Sequence, residues 1–186
     1  MLVNVVWFKR DLRLSDNAAI NDAVECDLPI ICLFNLDSHR IGRMDVSGIH
    51  IEWELDCLRS LASDINQLGG VIKFNYGQVI DILEIIHSDY QINSIICNEE
   101  TGLQWSWERD KLVAKWSENN QIDFIEHPSN GVIRKLKTRD DWKKYRDQRI
   151  SSTLIPRPEK LLAPEGCRSD AIPTMKELGL STKQLI

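Results

Sequence analysis

The densest chemistry in the chain lies near its start, in Trp7-Phe8-Lys9-Arg10-Asp11-Leu12-Arg13-Leu14-Ser15-Asp16-Asn17-Ala18-Ala19. A short apolar run passes into alternating Arg and Asp, then into an Asp-Asn pair suited to open a helix. Guanidinium–carboxylate pairs in such a loop would hold it rigid and could present one Arg to an anion. For Asp11, Arg13 and Asp16 the expectation is an internal ion-pair network. A second cluster, Asn98-Glu99-Glu100, sets two carboxylates side by side. They could accept hydrogen bonds from a ligand, or cap the helix that follows by favouring its dipole. His50 could donate to a ligand, or be a plain surface residue. From Arg134 to Arg149 eight basic residues stand against three acidic ones. That stretch could touch a phosphate backbone or form a solvated helix face.

Several signatures are missing. No GxGxxG follows the first apolar run and no GxxxxGK[ST] occurs, which disfavours a nicotinamide oxidoreductase or a P-loop phosphotransferase. HExxH and GxSxG are absent as well, and no metal site is expected. The five cysteines are odd in number and scattered, without a CxxC pair, as in a reduced cytoplasmic protein. A net charge of −5 argues against the whole chain being a nucleic-acid clamp. No apolar run reaches the length of a membrane span, and no secretory leader is visible.

The elements that must position these groups alternate. Val3–Phe8, Pro29–Phe34, Val71–Asn75, Asn93–Cys97 and, more weakly, Ile122–Glu126 are short apolar runs, several rich in β-branched residues, as strands buried on both faces should be. Helical periodicity fills the gaps: about Asp16 to Val24; a stripe through Ile51, Leu55, Leu58, Ala62, Ile65 and Leu68; Val79, Leu83, Ile86 and Tyr90; and Trp105, Leu112, Val113 and Trp116. Asp45 or Ser47 would cap the second helix, and Gly69-Gly70 would stop it. The pattern predicts an α/β domain over residues 1–150, with an open parallel sheet of about five strands and helices on both faces. Ligands of such sheets bind beyond the strand carboxyl ends, which singles out Lys9–Leu14, Leu36–Arg43, Gly77 and Asn98–Gln104. Residues 151–186, punctuated by proline, read as an extended linker with a short helical piece at Met175–Leu178, after which the chain looks cut short.

The opening segment WFKRDLRLSDNAA resembles the first motif of the DNA photolyase/cryptochrome family. Asn98-Glu99-Glu100-Thr101-Gly102 with Trp105, Trp107 and Glu108-Arg109-Asp110 is similar to a segment of one bacterial branch. A third likeness is His127-Pro128-Ser129-Asn130-Gly131-Val132-Ile133-Arg134 with Arg139-Asp140-Asp141-Trp142. The resemblance runs from the first strand to the proline-rich linker.

It implies the Rossmann-like N-terminal α/β domain of a photolyase-like flavoprotein, whose parent repairs pyrimidine dimers in DNA by blue-light-driven electron transfer from FAD. The FAD-binding helical domain of the family is absent from these 186 residues, so the chain alone is expected to be inactive in repair. Its own role would be to bind an antenna chromophore of the folate or deazaflavin type, or to act as a scaffold. By position, the resemblance makes Lys9, Arg10, Asp11, Leu36, Asp37, His50, Asn98, Glu99 and Glu100 the candidate chromophore contacts. Trp7, Trp53, Trp105, Trp107, Trp116 and Trp142 are expected to pack, not to carry electrons. Implied partners are the helical domain, for which the basic stretch is a possible docking face, damaged DNA for the parent, and a second copy of the isolated domain. A cryptochrome-type signalling protein and a stand-alone nucleotide-binding domain remain the alternatives.

Overall fold

In the computed structural model, which describes residues 1–134 and 136–181, five strands form one parallel sheet in the order β3-β2-β1-β4-β5. They are β1 (Leu2–Phe8), β2 (Ile30–Asp37), β3 (Val71–Gly77), β4 (Gln91–Asn98) and β5 (Asp123–His127). β1 lies in the middle, with Phe8 beside Phe34 of β2 and Trp7 beside Cys97 of β4. Its alternating side chains serve two cores. Val6 and Phe8 join one, with α1 (Ala18–Glu25) and α2 (Gly48–Gln67); Val3, Val5 and Trp7 join the other, with α3 (Val79–Asp89) and α4 (Gln104–Asn119). Burial on both faces explains why the three central strands read as unbroken apolar runs. The chain winds outward from β1 to β3 and then returns to β4. The carboxyl ends of β1 and β4 therefore flank the point where the winding reverses, the place where such sheets form a ligand crevice.

Asn17 caps α1, its side-chain oxygen accepting from the amides of Ala19 and Ile20 at 3.1 and 3.4 Å. Ser47 stands at the N-cap of α2 without a side-chain cap bond, and Gly69 ends that region at φ +80°. The buried stripe of α2 follows the expected periodicity. That of α4 does not: Ser106, Asp110, Val113 and Ser117 face inward, while Leu112 is exposed. The reason is electrostatic, because Asp110 turns in to meet Lys9.

A fifth helix, α5 (Trp142–Ile150), has no buried residue. It is held by polar contacts instead. Trp142 Nε1 donates to the Gly131 carbonyl at 2.8 Å, and Arg149 Nη1 donates to the carbonyls of Asn130 and Val132 at 2.6 and 2.8 Å.

The segment after α5 has no regular secondary structure as far as residue 181, yet it does not lead away from the domain. It runs along the domain as a strap. Asp16 N donates to the Ile155 carbonyl, Leu161 N to that of Leu68, and Ile30 N to that of Leu162. Leu161 and Met175 enter the α1–α2 core. At the outer edge of β3, Ile72 N donates to Ser169 Oγ and Phe74 N to Asp170 Oδ2, while Asp170 N donates to the Ile72 carbonyl. The expected helical piece at Met175–Leu178 is a hydrogen-bonded turn, with Leu178 N donating to Thr174 O. Residues 182–186 of the expected linker, and Lys135, lie outside the described residues.

Candidate functional site

The carboxyl edge of the sheet is built around an inward-facing charge network. Lys9, the first residue past β1, turns its ammonium to Asp110 of α4 at 2.7 Å, with Glu126 of β5 at 3.5 Å. Burial pulls the Lys9 ammonium down, but neighbouring charge outweighs it and the group titrates above its ordinary value. The Cys97 thiol is pushed up to about 12 by burial, so at neutral pH the charge that holds Lys9 is that of Asp110. Arg109 bridges Asp110 and Glu100, each at 2.7 Å. Burial also opposes its charge, and Asp110 and Glu100 overcome this and hold its proton more firmly than usual. Arg134 donates to Glu126 at 2.9 Å and to the Glu100 carbonyl at 2.6 Å. Buried charges persist only when paired in this way.

The opening loop is rigid, though not by internal guanidinium–carboxylate pairs. Asp11 accepts from Lys9 N at 3.0 Å and from Asn98 Nδ2 at 2.5 Å, while Asn98 also donates to Asn17. Arg13 bonds the Asp16 carbonyl, and Arg10 reaches across to Glu100 at 3.2 Å.

Six of the nine predicted residues, Lys9, Arg10, Asp11, Asn98, Glu99 and Glu100, line one recess of about 320 Å³ above the β1–β4 reversal. Arg10 and Asp11 also line an adjoining recess of about 510 Å³ with His50, Trp53 and Arg40. His50 is an exposed first-turn residue of α2. Asp37 is buried and caps the 3-10 turn Ser38–Arg40, accepting from His39 N at 2.9 Å; it lines a third recess with Trp105 and Arg109. Leu36 is a correction: at 0% exposure its strand register turns it into the α1–α2 core, and it has no surface to offer a ligand. Glu99 and Glu100 do not cap α4, whose N-cap is Leu103; they belong to the ion network.

Sequence reasoning missed Asp110, Glu126 and Arg134 as parts of this edge. The one available signal was Asp110 in helical phase with Val113, an acid among inward positions. Glu100 is held from two sides, its buried Oε1 3.2 Å from Arg10 Nε and its Oε2 2.7 Å from Arg109 Nη2. Two of the six tryptophans pack against this network: Lys9 and Arg109 lie 4.6 and 4.7 Å from the Trp7 ring, and Arg109 lies 5.5 Å from that of Trp105.

A doubly wound parallel sheet with polar groups gathered at its reversal point defines a Rossmann-like α/β domain. The chain belongs to the DNA photolyase family, whose sequence profile matches residues 4–149. It is 24% identical to cryptochrome-1 of Anopheles gambiae over 135 residues, which is 68% of this chain and 25% of that protein. Among solved structures, a class III photolyase from Agrobacterium tumefaciens superposes with a TM-score of 0.77 at 21% identity, over 92% of this chain and 37% of that one. An archaeal photolyase from Sulfolobus tokodaii, solved with two FAD molecules, gives 0.66 at 22% identity, over 91% and 38%. The likeness is to the N-terminal α/β domain of these longer chains. The chain spans between 21% and 48% of the length of the curated relatives it matches. No helix among the described residues is long and apolar enough to cross a membrane.

Proposed function

We propose that this domain holds a flat antenna chromophore, of the folate or deazaflavin type, at the carboxyl edge of its sheet. The observation that carries the reading is the recess at the β1–β4 reversal, which gathers Arg10, Asn98 and Glu100 at one rim. A heteroaromatic ring needs an apolar wall and a few fixed polar groups at its edge. Glu100 would accept from a ring N–H, Arg10 would donate from the shared rim, and Asn98 is held in one orientation by Asp11 and Asn17. The adjoining recess supplies the exposed Trp53 indole and His50 for stacking. Lys9 acts through position alone, because its ammonium is committed to Asp110. Such a chromophore absorbs near-ultraviolet or blue light and passes the excitation on.

In the full protein of this reading, a helical FAD-binding domain performs electron transfer to a pyrimidine dimer in DNA, and the α/β domain by itself cleaves no bond. The likeness to a cryptochrome-1 favours a second reading, in which the same antenna domain serves blue-light signalling.

The test is an absorbance and fluorescence spectrum of the freshly purified chain, with a denatured extract beside it. The expected result is a near-ultraviolet or blue band that leaves with a small molecule on denaturation. A bare protein spectrum, unchanged after adding folate, deazaflavin and flavin nucleotides, would overturn the reading.

A further inference from the structure

Arg13, from the loop after β1, and Arg149, from the end of α5, line one recess of about 420 Å³ beside the opening of α1 and the loop after β5. Among the described residues neither guanidinium has a carboxylate within ion-pair distance. Arg13 gives Nε and Nη2 to the Asp16 carbonyl at 3.2 and 2.9 Å. Arg149 gives Nη1 to the carbonyls of Asn130 and Val132. The contrast with Arg10, Arg40, Arg109 and Arg134 is direct, since each of those lies against an Asp or Glu. A carbonyl fixes a guanidinium without cancelling its charge. Since the group carries five N–H donors, Arg149 keeps those on Nε and Nη2, and Arg13 keeps those on Nη1.

One acid, Asp16, shares the recess, so two fixed positive charges stand against one negative. Ile150 and Leu154, each 73% exposed, form part of the wall. Large apolar side chains beside fixed cations suit a ligand with an anionic end and a flat apolar body.

We propose that this recess binds a small organic phosphate, a monophosphate carried on a heterocyclic nucleoside. The phosphate would sit between Arg13 and Arg149, where guanidinium forks match phosphate oxygens, and the base would rest on Ile150 and Leu154. The site goes beyond the chromophore reading and does not depend on it. Its readout is heat of binding, whereas the chromophore is read from the spectrum of the purified chain.

The experiment is calorimetric titration of the 186-residue chain with AMP, adenosine and inorganic phosphate. AMP should bind and adenosine should bind at least roughly tenfold more weakly, as expected for loss of charged hydrogen bonds. Inorganic phosphate should also bind more weakly than AMP, lacking the apolar body. Arg13→Gln and Arg149→Gln should each weaken AMP by about tenfold. Asp16→Asn, an exposed change that removes the opposing charge, should tighten it. Since Arg149 also docks α5, Asp16→Asn keeps the proposal falsifiable if Arg149→Gln fails to fold. Equal affinity for AMP and adenosine, no AMP binding at all, or AMP affinity indifferent to Asp16→Asn would overturn it.

Discussion

The ammonium of Lys9 stands 2.7 Å from the carboxylate of Asp110, with their side chains only 2% and 4% exposed. These residues are a hundred and one positions apart in the chain. Their pairing fastens the first loop of the domain to α4, beneath the recess assigned to the chromophore.

Removing one partner leaves an uncompensated buried charge. Asp110→Asn should therefore destabilise the domain by about 3–5 kcal/mol, since it withdraws the carboxylate that Lys9 and Arg109 share, and Lys9→Met/Asp110→Leu by less, because it also removes one of the two stranded cations and leaves Arg109 with Glu100. Urea denaturation of the two variants decides this. A double variant no better than the single would show that the pair contributes more than mutual neutralisation.

Alkaline pH should unfold the domain by a specific route. Lys9 titrates above its ordinary 10.5 in the folded state, so its contribution is complete below that pH and is lost as pH rises through the raised value. The thiols of Cys32 and Cys97, moved by burial from 9.0 to about 12, have the same sign: the unfolded chain releases protons that the folded one retains. Urea midpoints measured at increasing pH should fall from about 9.0 upward. Lys9→Met should flatten the portion above 10.5. Midpoints independent of pH in that window would contradict the linkage.

The strap after α5 depends on a glycine. A Cβ on Gly70 would meet Leu161 Cδ1 at 2.8 Å and Leu161 Cβ at 2.9 Å, and Leu161 is only 2% exposed. Gly70→Ala should cost about 1–3 kcal/mol through overpacking, and Leu161→Ala roughly 2–5 kcal/mol through the cavity left behind. Both should speed proteolysis between residues 155 and 181 while the far-ultraviolet circular dichroism stays close to that of the parent. Unchanged cleavage in both variants would mean that the strap is not held at this point.

Ile49 and Trp53, four residues apart on α2 and 64% and 70% exposed, share one helix face, with the fully exposed Met44 just upstream. Clustered apolar side chains of this size favour association. Sedimentation should show reversible self-association that Trp53→Asp abolishes. A concentration-independent monomer for the parent chain would dispose of this expectation.

Much of the fold was legible because the central strands are buried on both faces, which leaves runs such as Val3–Phe8 with no other reading. The inward face of α4 was not legible, because its deepest acid packs against a lysine more than a hundred residues away and periodicity sees only local apolarity. α5 was indistinct for the converse reason, as Arg149 and Trp142 dock it by hydrogen bonds and leave no stripe. The strap was hidden because two isolated side chains, Leu161 and Met175, carry its burial within a proline-rich sequence. At the site, position at the strand ends found the residues around the β1–β4 reversal. It erred at Leu36, where a strand's last turns still alternate between core and edge.

The strap also guards one edge of the sheet. Ser169 and Asp170 occupy the N–H groups of Ile72 and Phe74 and the Ile72 carbonyl, which a neighbouring strand would use, so the first half of β3 is closed to strand addition. The strap thus shields this edge against pairing with a second chain where it runs alongside it, and a strand added on this flank would have to displace it.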